Sequence, residues 1–121
     1  MFQLDAFPLF DEAQVLSQIG NKPLLISLVN AYLSEDMQQD IKLMQAQYEQ
    51  GHWEEVEKLA HKIKGGVAYL GTQRMRYACQ YLERYYKAGH RTLLEPLYQQ
   101  LLNVSAKTNE VLDFWLNKNQ P

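Results

Sequence analysis

The sequence predicts an all-α protein: an up-and-down antiparallel four-helix bundle with one or two additional short helices at the N-terminus. Three observations predict it. Apolar residues recur at the i, i+3, i+4, i+7 spacing of amphipathic helices through most of the chain. The four prolines and six glycines fall mainly between these periodic segments. No stretch alternates apolar and polar residues for the length of a strand. Short connections between helices of several turns favour antiparallel neighbours. With 121 residues and no visible linker, repeat or low-complexity segment, the chain reads as a single bundle domain over residues 1–121.

The elements follow in order. Asp11 is placed to cap a first short helix, "DEAQVLSQI", that stops at Gly20. Asn21, with Pro23 in the following first turn, opens a second, "KPLLISLVNAYL". A third runs from about Ser34 to Gln50, with Glu35 and Asp36 near its positive end, unless it continues the second. Gly51 ends it. A fourth runs from about Trp53 to Val67, and a fifth starts at Thr72 as its cap and ends before Gly89. Pro96 fits only a first turn, so the last helix begins near Thr92 and continues to about Leu116.

At 46 % hydrophobic and 21 % charged residues, the composition is that of an ordinary water-soluble globule. No apolar run reaches the ~18 residues of a membrane span. "MFQLDAFPLF" lacks a basic segment followed by a hydrophobic one, so the expected location is the cytoplasm, with no membrane contact. Cys79 is the only cysteine, which excludes an internal disulfide and a multi-cysteine zinc site, and its neighbours suggest a small packed residue. The net charge of -2 is unevenly spread: residues 58–91 hold eight Lys or Arg against the single acid Glu83, a local +7 that leaves -9 to the rest. A basic segment of this kind steers an acidic partner or a phosphoryl group toward it.

The fourth helix contains the chemistry. Val56, Leu59, Ala60, Ile63 and Val67 form one apolar stripe, and at ~100° per residue His61 lies roughly 140° from its centre, facing solvent. Lys64 follows at i+3 and Gly65 at i+4 on the same outer side, so the lysine sits a turn away and the glycine removes a side chain that would overhang the ring. An exposed neutral imidazole is a competent nucleophile, a neighbouring ammonium attracts a phosphoryl group, and the glycine lets another protein's surface come close. Gly65 and the adjacent Gly66 each cost the helix ~1 kcal/mol relative to alanine. The position of Gly65 gives it a purpose, while Gly66 turns toward the helix flank and has none that the sequence reveals.

These residues carry a family resemblance. "AHKIKGGVAYLG" followed by "CQYLE" resembles the histidine phosphotransfer (HPt) domains of phosphorelays, whose pattern is H-x-x-K-G with a further glycine ten residues after the histidine: here His61, Lys64, Gly65 and Gly71. The likeness extends over roughly residues 22–118 in helix layout. The resemblance implies a relay without ATP-dependent kinase activity of its own: His61 accepts a phosphoryl group on Nε2 from a receiver-domain aspartate of an upstream hybrid sensor histidine kinase. It then passes the group to a response-regulator receiver domain. Mg²⁺ would belong to the receiver, leaving this chain without a cofactor, and the domain would act as a monomer. The family also often places a polar side chain against the histidine's other nitrogen, for which Glu83 is the candidate; a surface ion pair of Glu83 with Arg84 or Lys87 is the competing reading. A docking patch of Leu16, Ile19 and Leu24 rimmed by Lys58, Lys62 and Arg84 is implied as well, although these leucines and the isoleucine suit a core equally.

Rival readings fare worse. Glu57 and His61 are four residues apart, yet the facing helices offer no Glu-x-x-His pair, and His52 and His90 follow glycines in connections, so no metal site is expected. No phosphate-binding glycine loop or nucleophile elbow occurs. A nucleic-acid binder is disfavoured by the acidic remainder and a pI near 5.9. The alternative is a helical adaptor or scaffold bundle that is not phosphorylated and binds a signalling partner; it shares the fold but gives no reason to keep His61, Lys64 and Gly65 together.

Overall fold

A computed structural model describes residues 3–119. Among them are six α helices and no strand: α1 (Glu12–Ile19), α2 (Lys22–Leu33), α3 (Glu35–Glu49), α4 (Trp53–Val67), α5 (Gln73–Lys87) and α6 (Leu94–Asn119). The caps are those that the residue types require. The Asp11 carboxylate accepts from the Gln14 N–H at 3.1 Å, and the Asn21 side chain accepts from the Leu24 N–H at 2.9 Å. Ser34, in extended conformation, divides α2 from α3, and its hydroxyl donates to the Ala31 carbonyl at 2.6 Å. The second and third helices are therefore separate. Two ends differ from expectation. The Thr72 hydroxyl makes no cap to α5 but donates back to the Val67 carbonyl at 3.3 Å. A 3₁₀ turn, Arg91–Leu93, precedes α6, which places Pro96 in the first turn of the long helix.

The bundle is up-and-down. Between α3 and α4 the pairs are Asp40 with Lys62 and Tyr48 with Trp53; between α4 and α5 they are His61 with Glu83 and Glu57 with Lys87. Between α3 and α6, Gln38 meets Asn109 and Tyr48 stacks on Tyr98. In each case one number rises as the other falls, the mark of antiparallel neighbours. Since α5 thus runs with α3, it is also antiparallel to α6. The centre is filled by Met44, Val56, Ala60, Ile63, Met75, Ala78, Leu82, Leu97, Leu101 and Leu112, all buried, with Leu25 and Val29 of α2 joining them. Each such leucine contributes about 1.5–3 kcal/mol of burial energy.

The N-terminal segment and α1 lie across the end formed by the α4–α5 connection. Leu4 is buried, Phe7 stacks on Tyr77 at 4.2 Å and Phe10 meets Trp115 edge-on at 5.3 Å. Arg74 fastens this segment: its Nε donates to the Phe7 carbonyl at 2.9 Å, its guanidinium to the Asp5 carbonyl at 3.3 Å, and its backbone N–H to the Pro8 carbonyl at 3.1 Å.

Gly71 makes this packing possible. Its φ is +72°, and its carbonyl accepts from the Asp11 N–H at 2.9 Å. A Cβ there would fall 2.7 Å from the Asp11 carbonyl oxygen. Gly71→Ala therefore faces both the left-handed penalty and a backbone clash. It should destabilise the protein by roughly 1–3 kcal/mol, read as a lower denaturant midpoint; an unchanged midpoint would contradict this account of the turn.

Candidate functional site

The site begins with the apolar stripe of α4. Val56, Ala60, Ile63 and Val67 are buried and Leu59 is half-buried, which turns the opposite face outward. His61 lies on that face with its side chain 66 % exposed. Behind it, α5 runs antiparallel with Met75, Ala78, Cys79 and Leu82 in the core, and this register brings Glu83 beneath the imidazole. Burial holds the Cys79 thiol well above the ordinary thiol range, with the Glu83 charge adding to the effect.

Glu83 is the hinge of the arrangement. Its side chain is only 5 % exposed, and its two oxygens have different partners. Oε1 accepts from Nδ1 of His61 in a short hydrogen bond, and Oε2 accepts from the Lys64 ammonium at 2.5 Å. A carboxylate can only accept, so the shared proton sits on Nδ1. In the neutral ring the other nitrogen, Nε2, then carries the lone pair, and it has no hydrogen-bond partner among the described residues. Glu83 is thus not a surface ion pair with Arg84 or Lys87. Lys87 pairs instead with the buried Glu57 at 3.4 Å, which also occupies the carboxylate that a metal reading would have placed with His61. Among the described residues no cluster of three His, Cys, Asp or Glu side chains could hold a metal ion.

Lys64 differs from the free ammonium that the helical wheel suggests. It is 27 % exposed and folded against Glu83, where it balances the buried carboxylate. Gly65 has open space where a Cβ would stand, so nothing inside the protein demands a glycine there. Gly66 faces α3, where a Cβ would lie 2.7 Å from the Met37 methyl; that methyl is the far end of a flexible side chain that can move aside, so the contact does not by itself demand a glycine.

The remaining candidates are distributed around this centre. Lys62 is exposed and tied to Asp40 at 3.1 Å, Lys58 pairs with Glu54 and Glu55 of its own helix, and Arg84 is exposed. Leu16 and Ile19 are half-buried against the core, so much of their apolar surface is already used; Leu24, at 45 % exposed, is the open member of the three. Tyr77, Tyr81, Tyr85 and Tyr86 pack against the core edge, whereas Tyr69 is 70 % exposed beyond the end of α4. The structure adds two buried acids, Asp40 and Glu57, that balance cations flanking the histidine. Each neighbours apolar residues in its helix, Ile41 and Val56, and a carboxylate on an apolar face needs a partner.

Fold and site together define a class: a helical bundle that presents one oriented imidazole on an open face instead of enclosing it in a cleft. The chain matches the Hpt domain family model over residues 29–110, and it belongs to that family. Hpt domains are histidine phosphotransfer modules of phosphorelays, which interact with receiver domains and histidine kinases and have no kinase activity of their own. Searches of the curated proteins and of the solved structures return no significant match. No helix among the described residues is long and apolar enough to cross a membrane.

Proposed function

We propose that His61 is the phosphorylated residue of this Hpt domain, taking a phosphoryl group on Nε2 from a phospho-aspartate of a hybrid sensor kinase's receiver domain. It then delivers the group to a response-regulator receiver. The observation that carries this reading is the hydrogen bond from Nδ1 to the buried Glu83, which leaves Nε2 as the lone-pair nitrogen on the exposed side of the ring. Nε2 attacks phosphorus, the bond from phosphorus to the aspartyl oxygen breaks, and the electron pair leaves with the receiver's carboxylate. The ring becomes a phospho-imidazolium whose positive charge is balanced by Glu83 through Nδ1–H. Reversal of the same steps loads the next receiver. Lys64, anchored on Glu83, places an ammonium beside the incoming anionic group, and Gly65 keeps the approach clear.

In this reading Mg²⁺ and the catalytic groups reside on the receiver, this chain brings no cofactor, and it works as a cytoplasmic monomer. The partner meets the face around His61, with Leu24 as the exposed apolar contact, Leu16 and Ile19 at its margin, and Lys58, Lys62 and Arg84 as rim charges that set association rate and salt dependence. A non-phosphorylated adaptor bundle would have no use for an imidazole pre-set in one tautomer.

The experiment is incubation of the chain with a receiver domain phosphorylated by acetyl phosphate. The expected result is label on this chain that is labile in acid and stable in base, as a phosphoramidate is. Failure to take label from any of a panel of receivers would refute the proposal.

A further inference from the structure

Charge contacts join α4 and α5 at two levels, and a half-buried arginine without an acid stands further along α5. On α5, Arg76, Gln80, Glu83 and Lys87 share a face at i, i+4, i+7 and i+11. Facing them on α4, Lys87 meets Glu57 at 3.4 Å, and Glu83 meets His61 and Lys64. Further along, where α1 crosses the connection, Arg76 and Ala68 line a hollow of about 330 Å³ together with Gln14, Gln18, Gln73 and Tyr77. No acid lines it. Arg76 is half-buried, its Nε is fully buried and makes no hydrogen bond, and its guanidinium lies 4.9 Å from the centre of the Tyr77 ring. The neighbouring cations Lys58, Lys62, Lys64, Arg74 and Lys87 each have an acidic partner within 4 Å; among the described residues Arg76, Arg84 and Arg91 have none, and of these three Arg76 alone is half-buried.

We propose that Arg76 is a specificity contact for the docking receiver domain, which inserts an aspartate or glutamate side chain into this hollow to pair with the guanidinium. This rests on the phosphotransfer reading of His61. Ala68 is seven residues beyond His61, roughly 10 Å along the helix axis at 1.5 Å per residue. A protein that docks closely enough to exchange a phosphoryl group with His61 covers about 800 Å² of this surface, a patch roughly 16 Å in radius. Arg76 therefore lies under the partner. Covering a guanidinium without supplying an acceptor costs binding energy, so a partner with an apolar or basic residue there is rejected, and one with a carboxylate gains a bidentate charged contact. The local excess of positive charge on residues 58–91 favours the same choice. The path is clear, because Gly65 and Ala68 present almost no side chain between His61 and the hollow.

The test compares wild type with Arg76→Gln, Arg76→Glu and, as a control cation on another helix, Lys107→Gln. Two donors are used: phosphoramidate, a small molecule that phosphorylates exposed histidine without docking, and a purified receiver domain phosphorylated with acetyl phosphate. The proposal expects all four proteins to take label from phosphoramidate at the same rate. With the receiver, Arg76→Gln should raise KM about tenfold and Arg76→Glu further, with kcat little changed and the control near wild type. Added salt should narrow the difference between wild type and Arg76→Glu. Unchanged KM in both Arg76 variants would overturn the proposal, as would a matching loss of phosphoramidate labelling, which would place the effect on the fold or on His61. A wild type that is labelled by phosphoramidate yet takes nothing from any receiver would instead refute the relay reading itself, and this contact with it.

Discussion

His61→Gln should abolish phosphoryl transfer while leaving the bundle intact. The amide of glutamine supplies no nucleophilic nitrogen, so uptake of label from a phosphorylated receiver falls to background, a loss larger than any other single change should produce. The fold should survive because the imidazole is 66 % exposed and the α4 core is formed by Val56, Ala60, Ile63 and Val67, not by this residue. What the fold loses is one hydrogen bond to Glu83, worth about 1.5–3 kcal/mol when the acceptor is charged. The glutamine amide is able to replace part of it, and Lys64 continues to neutralise the carboxylate. Far-ultraviolet circular dichroism should match wild type, and the denaturant midpoint should shift only modestly. Full label on His61→Gln would move the phosphorylation to His52 or His90, at the opposite end of α4 and at the α5–α6 connection, and would refute the site.

Glu83 should give the second largest effect, and its two substitutions should separate two roles. Glu83→Ala removes the acceptor from Nδ1 and the counter-charge from Lys64 together. The imidazole then samples both tautomers and free rotation, and the phospho-imidazolium loses its balancing carboxylate. In metal sites, losing the hydrogen-bond partner that orients a ligating imidazole costs roughly 10–100-fold, and transfer should slow by that order. Glu83→Gln keeps an oxygen that accepts from Nδ1–H, and so retains the orientation, but gives up the charge. Its rate should fall between Glu83→Ala and wild type. Nitrogen-15 NMR of the imidazole separates positioning from mere packing: the preference for the Nδ1–H tautomer should be lost in Glu83→Ala and kept in Glu83→Gln, and an equal rate for Gln, Ala and wild type would show that Glu83 does nothing for the histidine.

Much of this was legible in the chain because the signals are local. Gly20, Asn21, Pro23, Gly51, Gly71 and Pro96 punctuate the helices through backbone constraints that each residue carries wherever it occurs. The outward direction of His61 follows from the angle between it and the stripe of Val56, Ala60, Ile63 and Val67. What was not legible depends on register between helices. The periodicity of α5 places Glu83 on a face but does not say that the face lies under His61 and not beside Arg84 or Lys87; only the antiparallel pairing of α4 with α5 decides that. The same holds for Lys64, whose charge is taken up by Glu83, and for Gly66, whose neighbour across the helices is a methionine 29 positions away. Leu16, Ile19 and Leu24 carry the same apolar message in the sequence, and tertiary packing alone distinguishes the half-buried pair from the exposed leucine. Thr72 has cap chemistry, yet its hydroxyl donates to the Val67 carbonyl and its oxygen accepts no N–H from the first turn of α5, an orientation set by the α4–α5 connection.

In the proposed relay Glu83 fixes the proton on Nδ1 of His61 and so directs phosphorylation to Nε2. Nitrogen-15 NMR of the histidine side chains, before and after phosphorylation, tests it directly. Unphosphorylated His61 should be the Nδ1–H tautomer, and on phosphorylation one-bond coupling to phosphorus should appear at Nε2 of His61 alone. Coupling at Nδ1, an Nε2–H tautomer in the resting protein, or phosphorus on His52 or His90 would contradict it.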